Sequence, residues 1–329
     1  RLRRGFASHE FYEALIPLAM ERLDEVHPIN CVYFMWSVSK SGIDNEEFFN
    51  AVAERVGPVA SELDRCGLTM FCWNYAYIGT QNDEVFERVA EDTLRSERMA
   101  EMAPRDVSGV AWAYAKAGID NEPLFQGLIA HAIGLLKDGL AQNCHHRAQK
   151  SLARDIYIGD HSAVDGAVDA FDTVSLSDLL WACAEKQFLE PEFLALCKEY
   201  LIKALTQPSW WQAERFCRYP GTLSRILMAI ARLSADDHTD LFQAAAPHLV
   251  RSIDEFTIRD IIPLIVAHAI AGAHDPWVLA SLDARLEALY HEGRLAYLDS
   301  QEMRQLKWGL EQLGLGSAEL KGDLHFSAS

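Results

Sequence analysis

The chain has 329 residues, of which 50% are hydrophobic and 24% are charged, a balance typical of an ordered protein with a large interior. One compact domain rarely grows to this size, so the length indicates several domains or a repeat array. The formal net charge of −18 argues against an autonomous nucleic-acid binder, because phosphate contacts need clustered Lys and Arg.

The first third of the chain repeats one pattern three times. Trp36, Trp73 and Trp112 lie 37 and 39 residues apart. Each is followed six residues later by a glycine and thirteen residues later by a phenylalanine: Gly42 and Phe49, Gly79 and Phe86, Gly118 and Phe125. A period of this length is typical of a helical-repeat array. We therefore predict that each unit consists of a helix A with the tryptophan, a turn at the glycine, and a helix B.

The residues around each predicted turn suit a helical hairpin. Gly42 and Gly118 stand where the end of a helix favours a left-handed backbone conformation. Asn45 and Asn121 follow as N-cap residues, and glutamates in the first turn of helix B complement its dipole. Because a single hairpin cannot bury its apolar face alone, neighbouring hairpins must stack into a solenoid.

Weaker copies extend the array through the rest of the chain. Trp181, Met228, Val266 and Trp308 take the tryptophan position in four further units. Residues 5–12 align with residues 42–49, so the sequence is expected to open inside a repeat whose helix A is largely missing. The predicted fold class is all-α, an α-solenoid of about seven tandem helix–turn–helix repeats.

One interval breaks the period. Trp112 and Trp181 are 69 residues apart, about thirty more than one repeat requires. We expect residues 140–171 to form an insertion or linker in the third repeat. The predicted organisation is therefore N-terminal repeats in residues 1–139, the insertion in 140–171, and C-terminal repeats in 172–329.

The sequence of helix A resembles a known repeat family. Residues 106–118, around Trp112, and residues 178–184, around Trp181, resemble the first helix of octotricopeptide and heptatricopeptide repeats. These families are related to the Fas-activated kinase-like repeat proteins of organelles. The resemblance implies a mitochondrial protein, or alternatively a plastid protein, that works on RNA or within the organellar ribosome. Many relatives end in a RAP domain, which we expect to be absent because only residues 317–329 follow the last repeat turn.

One face of the predicted A helices carries polar residues. Positions six and three before the tryptophan, and one and four after it, share a helical face. The candidate binding residues on this face are Asn30, Tyr33, Ser37, Lys40, Asn74, Tyr77, Lys116, Arg225, Arg232 and Gln305. They could face a nucleotide or a partner protein, or form an ordinary solvated surface. The same face carries acidic residues, and this mixed charge argues against a code of one base per repeat: Asp106, Asp178, Glu185 and Glu302.

The aromatic and metal-binding residue types favour structural roles. The recurrent tryptophans could stack nucleic-acid bases, but their small neighbours favour packing between repeats. His268 lies in an apolar helical run and is expected in the core. Cys144-His145-His146 is the only local metal-like cluster, and it lacks the second, spaced ligand pair of a zinc site. Phosphate loops and nucleophile motifs are also missing, so we expect no enzyme activity, cofactor, metal or small-molecule substrate.

Two functions fit these observations. The first is a non-catalytic scaffold subunit of an organellar ribonucleoprotein, specifically the mitochondrial ribosome, that braces proteins and contacts rRNA at a few basic points. The second is an RNA-free scaffold or assembly factor of another organellar complex, respiratory or photosynthetic. The expected partners are protein subunits of a large complex, with rRNA or other organellar RNA as a limited contact. The longest apolar run, residues 261–273, is too short for a bilayer, so we expect no membrane insertion.

Overall fold

The computed structural model describes residues 9–80, 82–141, 171–207 and 220–326. Within these ranges the chain forms sixteen α-helices and no β-strand, which confirms the all-α prediction. The helices are α1 (His9–Met20), α2 (Pro28–Ser41), α3 (Glu46–Val56), α4 (Arg65–Ile78), α5 (Asp83–Thr93), α6 (Ser96–Glu101), α7 (Pro104–Ala117), α8 (Glu122–Ala141), α9 (Thr173–Glu185), α10 (Pro191–Thr206), α11 (Pro220–Leu233), α12 (Thr239–Ser252), α13 (Ile258–Ala271), α14 (Pro276–His291), α15 (Ser300–Leu313) and α16 (Ala318–Phe326). In the same ranges, no helix combines the length and the apolar character that crossing a membrane requires.

The α-helices alternate as the tryptophan period predicts. The A helices are α2, α4, α7, α9, α11, α13 and α15, and each contains one of the predicted tryptophan positions. The B helices are α1, α3, α5, α8, α10, α12, α14 and α16, where α1 precedes the first A helix of the described residues. The prediction of tandem helix–turn–helix units is confirmed.

Glycine and asparagine form the turns as the sequence predicts. Five A helices end at a glycine with a φ angle between 61° and 85°: Gly42, Gly79, Gly118, Gly272 and Gly314. Glycine adopts this left-handed conformation without steric cost. Asn45 and Asn121 cap the following B helices, because their side-chain oxygens accept hydrogen bonds from the backbone N–H groups of Phe48 and Leu124 at 2.9 and 3.0 Å.

Short helical connectors, which the sequence did not reveal, carry the chain from a B helix to the next A helix. They comprise α6 and four 3-10 segments: Leu23–Glu25, Gly57–Glu62, Ile253–Glu255 and Arg294–Tyr297. Leu63, Met102 and Phe256, which end three of these connectors, are buried. The connectors therefore contribute to the apolar core rather than passing over the surface.

Hydrogen bonds of constant sequence separation fix several connectors to the hairpin that follows. In four hairpins a side chain from helix B reaches the backbone carbonyl of a residue 29 positions earlier, just before helix A: Arg55 to Val26, His131 to Met102, Tyr200 to Phe171 and Arg285 to Phe256. The donor–acceptor distances run from 2.7 to 3.2 Å. Each bond satisfies a carbonyl that lies just outside helix A, and in three of the four hairpins this carbonyl belongs to a described connector or to the residue that follows it. These bonds set how each connector lies against helix B.

The helices divide by their contacts into two units, and the division falls inside α8. The first unit covers the described residues up to Gly134, and the second covers those from Leu135 onward. In the first unit α2 packs on α4, and α4 packs on α7. In the second unit α9, α11, α13 and α15 pack in succession, and so do the B helices α10, α12 and α14. Successive hairpins therefore stack side by side within each unit, as a solenoid requires.

The predicted insertion at residues 140–171 lies almost entirely outside the described residues. Residues 140 and 141 belong to the end of α8, and Phe171 directly precedes α9. Phe171 is fully buried, and its carbonyl accepts the hydrogen bond from the Tyr200 hydroxyl at 2.7 Å. This residue therefore belongs to the fourth hairpin and not to an insertion.

Glycines allow neighbouring A helices to approach closely. A Cβ atom on Gly109 of α7 would lie 2.5 Å from Thr69 Cγ2 of α4. A Cβ atom on Gly309 of α15 would lie 2.6 Å from Ile265 Cγ2 of α13. Contacts this short are excluded for any larger residue unless its neighbour moves. In each unit, one pair of neighbouring A helices is therefore packed closely at a glycine.

The position two residues after the tryptophan joins α4 and α7 of the first unit to the preceding B helix. Tyr75 and Tyr114 occupy this position and are fully buried. Their hydroxyl groups donate hydrogen bonds to the backbone carbonyls of Phe49 and Phe86, which lie in helices α3 and α5. Each tyrosine also meets the ring of the same phenylalanine edge-on. One residue type thus supplies both apolar packing and hydrogen bonding between repeats.

His268 holds the corresponding position in the second unit. It is 1% exposed and lies edge-on to Phe242 of the preceding B helix, with 4.8 Å between ring centroids. Its Nδ1–H group donates a hydrogen bond to the Leu264 carbonyl at 2.8 Å. Burial lowers the pKa of His268 to about 4, so the ring is neutral at neutral pH. The expectation that His268 belongs to the core is confirmed.

Candidate functional site

The accessible face of the A helices is rotated relative to the predicted one. The tryptophan itself is half-buried in α2, α4, α7 and α9, and the position four residues later is half-buried or exposed. The positions six before and one after the tryptophan instead face neighbouring A helices in most hairpins. Gly67 and Gly309 show this, since added Cβ atoms would meet Ile29 of α2 and Ile265 of α13. In most A helices the accessible positions are therefore seven and three before the tryptophan, the tryptophan, and four after it; Met70 and Val266, which hold two of these positions, are buried.

Asn74 is the candidate residue most affected by this rotation. Its side chain is 0% exposed, and among the described residues neither amide atom has a hydrogen-bond partner. The expectation that Asn74 faces solvent is wrong, because the position after Trp73 lies on the packed side of α4. A buried amide without a partner destabilises the fold and cannot reach a ligand on the surface.

Four residues from three successive A helices of the first unit form an aromatic cluster, which comprises Lys40, Trp73, Tyr77 and Trp112. The rings of Trp73 and Tyr77 stack with 4.6 Å between centroids and 17° between planes. Trp73 also stacks on Trp112 of the next helix at 5.6 Å and 24°. The Lys40 ammonium lies 4.3 Å from the Trp73 ring centroid and 4.5 Å from that of Tyr77. Desolvation by burial lowers the pKa of Lys40.

The aromatic cluster decides between the two interpretations of the tryptophans. Trp73 contacts Lys40, Tyr77 and Trp112, so groups of the protein already occupy its ring faces. A base could stack on Trp73 only by separating these groups. The contact between Trp73 and Trp112 crosses from α4 to α7, and packing between repeats is therefore confirmed for this pair. Tyr77, which is 43% exposed, remains accessible.

The remaining candidates in the first unit lie at different depths. Asn30 and Lys116 are exposed, and Tyr33 and Ser37 are half-buried. The Ser37 hydroxyl donates a hydrogen bond to the Tyr33 carbonyl at 3.1 Å, one turn earlier in α2. Lys116 has no ion-pair partner in the part of the chain that the structure describes. The structure thus brings Lys40 and Tyr77 together and leaves Asn30 and Lys116 on the surface.

In the second unit, the candidate arginines are ion-paired with acidic residues of the preceding A helix. Arg225 of α11 lies 3.7 Å from the Asp178 carboxylate of α9, and Arg232 lies 3.2 Å from the Glu185 carboxylate. Gln305 of α15 is half-buried. The mixed charge seen in the sequence is therefore arranged as ion pairs between neighbouring repeats.

Two further A-helix ion pairs follow the same rule. Arg259 of α13 lies 3.2 Å from Glu302 of α15. In the first unit Arg65 of α4 forms a close ion pair with the buried carboxylate of Asp106 of α7. Each pair joins two adjacent A helices. A ligand could bind these arginines only by competing with the carboxylates that already pair with them.

A shallow open cleft lies beside α5 and α6. It is lined by charged residues only: Asp92, Arg95, Glu97, Arg98 and Glu101. The buried Asp92 carboxylate is ion-paired with Arg98 at 2.8 Å and with Arg95 at 3.0 Å. Arg98 also donates to the Ser61 carbonyl of the adjacent connector. The charges of this cleft hold the connector in place.

The buried thiols are poor nucleophiles. Burial raises the pKa values of Cys66, Cys72 and Cys183 to about 12, so almost none of these groups is ionised at neutral pH. The described residues contain no group of three or more His, Cys, Asp and Glu side chains that could hold a metal ion. Cys144-His145-His146 lies outside the described residues.

No protein-family model and no curated protein matches the chain. The resemblance of its helix A to octotricopeptide and heptatricopeptide repeats therefore stays a prediction. The accessible A-helix face of stacked hairpins, with an aromatic cluster in one unit and ion pairs in the other, is the feature from which a function can be argued.

Proposed function

We propose that this chain is a non-catalytic helical-repeat scaffold subunit of an organellar ribonucleoprotein, specifically the mitochondrial ribosome. In this function it braces neighbouring protein subunits through the accessible faces of its A helices and contacts rRNA at a few basic points. The resemblance of helix A to organellar repeat families supports the location, and a plastid is the alternative that the same resemblance allows.

One observation carries the emphasis on protein partners. The arginines on the A helices are mostly ion-paired with carboxylates of a neighbouring repeat, as Arg225 and Arg232 are with Asp178 and Glu185. A surface that reads one base per repeat needs free donors in a basic surround. The net charge of −18 further opposes extended contact with a polyanion. Protein contacts therefore dominate in this proposal.

The same ion pairs favour a second function, an RNA-free scaffold or assembly factor of a respiratory or photosynthetic complex. Its partners would be proteins only, which suits the acidic chain and the internally paired arginines. The two functions predict different behaviour of the protein in the organelle.

The experiment is sedimentation of the affinity-tagged protein from organelle extracts, with and without RNase. A ribosomal scaffold should co-sediment with a ribosomal subunit in untreated extract and change its position after RNase treatment. A scaffold of another complex should sediment with that complex, and its position should not change after RNase treatment. Absence from every ribosomal fraction would eliminate the first function, and a tagged matrix protein of similar mass serves as the control for trapping.

A further inference from the structure

Helix α1 exposes an apolar face. Phe11 and Leu18 are 52% and 59% exposed, and Ala14 between them is exposed as well. Their intervals of three, four and seven residues place these side chains on one side of the helix. The buried side of α1 carries Tyr12 and Ile16. A helix that is apolar on an exposed side as well as on its buried side indicates a second contact surface.

In the later hairpins, a helix covers the position that Phe11 holds in α1. Phe11 aligns with Phe48 of α3, because residues 5–12 align with residues 42–49. Phe48 is 0% exposed and meets the ring of Phe34, which belongs to helix A of the same hairpin, with 5.3 Å between centroids. In the other B helices the equivalent residue is at most 2% exposed: Val85, Leu124, Phe193, Leu241, Val278 and Leu320. Among the described residues, α1 alone of the B helices has no helix A before it.

Helix α2 shows the same difference on the side that faces back along the array. The position after the tryptophan is buried in the six later A helices: Asn74, Ala113, Ala182, Ala229, Ala267 and Gly309. In α15 this position contacts the preceding A helix, because a Cβ atom on Gly309 would lie 2.6 Å from Ile265 Cγ2. Ser37 holds the position in α2 and is half-buried, and Asn30, two turns earlier, is exposed. One helix beside α1 and before α2 would cover both surfaces.

The border of the apolar face is acidic. Glu10 and Glu13 of α1 are exposed, as is Glu21 just after the helix, and α1 contains no Lys or Arg. Such a border attracts the Lys and Arg residues of a partner. It repels a second copy of this chain, which carries a net charge of −18. The charge therefore favours a basic partner over self-association.

Leu18 distinguishes α1 from other B helices. It aligns with Arg55 and His131, which donate hydrogen bonds to the carbonyl just before helix A of their own hairpins. Leucine cannot donate, so α1 lacks the group that holds a connector in those hairpins. An apolar contact at Leu18 suits a helix that arrives without such a connector. This favours the helix of a partner protein over a helix A of the usual hairpin.

We infer that the exposed side of α1 docks a basic amphipathic helix of a neighbouring protein. The docked helix takes the place that a helix A takes in the later hairpins. Its apolar side lies on Phe11, Ala14 and Leu18, and its Lys and Arg side chains face Glu10 and Glu13. Recognition of an amphipathic helix by an apolar surface is a common mode of peptide binding. The inference rests on the proposed scaffold function and names the chemistry of one of its partners.

The test is fluorescence anisotropy of three labelled peptides with the full chain at near-physiological salt. The first peptide has about 18 residues, or five helical turns, with leucine on one side and lysine on the other. The second has glutamate in place of each lysine. The third contains the residues of the first in an order without a helical period, which controls for attraction between any cationic peptide and an acidic protein. We expect the first to bind and the other two to bind at least about tenfold more weakly.

A pair of leucine variants locates the docked helix. Leu18→Glu should weaken binding of the first peptide by about tenfold or more, because it places a charge in the apolar contact. Leu189→Glu is the control, since Leu189 lies between α9 and α10 and is 47% exposed. Both variants add one negative charge, so attraction without docking would strengthen equally in both. Both leucines are exposed, and neither variant should lose the helical circular dichroism of the parent.

A pair of charge variants tests the acidic border. Glu13→Lys should weaken binding of the first peptide by about fivefold, because an attraction becomes a repulsion. Glu87→Lys makes the same change at the equivalent position of α5, two hairpins later, and should leave binding nearly unchanged. Both glutamates are exposed.

Four results would overturn the inference. They are no binding of the first peptide, equal binding of the first and third peptides, and equal effects of the two variants within either pair. The fourth is a dimer of the full chain in sedimentation velocity that Leu18→Glu abolishes, because a second copy would then be the occupant.

The organelle sedimentation experiment fails or succeeds independently of these results. Peptide docking without ribosomal co-sedimentation would remove the proposed ribosomal function and keep the docking site. Ribosomal co-sedimentation without peptide docking would remove only the docking site.

Discussion

On their accessible faces, the two units join their A helices by different chemistry, although the ion pair between Arg65 and Asp106 also links α4 to α7 in the first unit. In the first unit, Trp73 stacks on Trp112 across two helices and Lys40 covers the same rings. In the second, Arg225 and Arg232 are ion-paired with carboxylates of the preceding A helix. In both units, nevertheless, successive A helices pack on one another. The repeat period therefore fixes where helices lie, and leaves the side chains of the accessible face free to differ.

The difference has energetic consequences. Stacked rings and a lysine over an aromatic face each contribute about 0.5–1.5 kcal/mol, and salt hardly weakens the ring contact. Exposed ion pairs contribute about 0.2–1 kcal/mol and are screened by salt. We therefore expect the accessible face to be held together more firmly, and with less dependence on ionic strength, in the first unit than in the second.

The largest effect is expected where the first unit uses a buried tyrosine. Tyr114→Ala removes a fully buried ring and the hydrogen bond to the Phe86 carbonyl, so it should lower the free energy of unfolding of the surrounding helices by about 3–5 kcal/mol. Amide hydrogen exchange of α5 and α7, followed by mass spectrometry, measures the loss. Tyr297→Ala is the control, because Tyr297 is 74% exposed and should change exchange very little. Equal effects of the two substitutions would show that Tyr114 does not link the helices.

An intermediate effect on stability is expected at His268, which holds the same repeat position in the second unit, and this effect appears only at acidic pH. The pKa of His268 is about 4 in the folded protein and 6.5 when unperturbed. Between these values the unfolded state binds more protons, so stability is complete above pH 6.5 and is lost as the pH falls towards 4. The loss should reach about 3 kcal/mol. Urea unfolding at a series of pH values measures it.

The variant His268→Gln isolates this contribution. Glutamine can still donate a hydrogen bond to the Leu264 carbonyl, but it does not titrate. The difference in unfolding free energy between the parent and His268→Gln should therefore vary with pH between 6.5 and 4 and be constant above. A difference that is independent of pH over this range would contradict the assignment of a neutral, buried His268.

The smallest effects are expected for the coupling energies between pairs of side chains on the two accessible faces. Double-mutant cycles with Lys40→Met and Tyr77→Ala, and with Arg232→Met and Glu185→Gln, should each give a coupling energy below about 1 kcal/mol. The Arg232–Glu185 coupling should disappear in about 1 M salt, where the screening length is near 3 Å, whereas the Lys40–Tyr77 coupling should largely persist. Equal salt sensitivity of both pairs would remove the distinction between the units.

The hairpin architecture could be predicted from the sequence because its determinants are chemically specific. Only glycine fits the left-handed end of an A helix without strain, so Gly42, Gly118 and their counterparts mark the turns. Tryptophan is rare enough that its recurrence at a constant interval reveals the period. The asparagine caps then fix the start of α3 and α8.

The accessible face could not be predicted with the same accuracy. Glycine and alanine at the position after the tryptophan are compatible with an exposed helix face and with close helix packing alike. Asn74 then gave a misleading signal, because a polar residue is expected outside and this one is buried. The ion pairs of Arg225 and Arg232 were visible only as mixed charge, since partners in different repeats must be placed in space before they can be matched.

The connector hydrogen bonds escaped sequence analysis for another reason. Arginine, histidine and tyrosine occupy the same helix B position, as Arg55, His131 and Tyr200 show, so no residue type recurs. What recurs is the ability to donate a hydrogen bond to a carbonyl 29 residues earlier. Because the three residue types share only this ability to donate, a comparison of residue types along the sequence does not detect the pattern.

That constant interval has a consequence for how such a chain can change over generations. The donor and the acceptor of each of these hydrogen bonds lie in the same hairpin and the residue just before it. A gene duplication or deletion of that entire segment therefore leaves none of these donors or acceptors without its partner. Loss or gain of one or two residues between the carbonyl and its donor breaks the hydrogen bond, because the donor then lies on a different side of helix B. Arrays of this construction are therefore free to lengthen in whole modules and resistant to small changes of length within them.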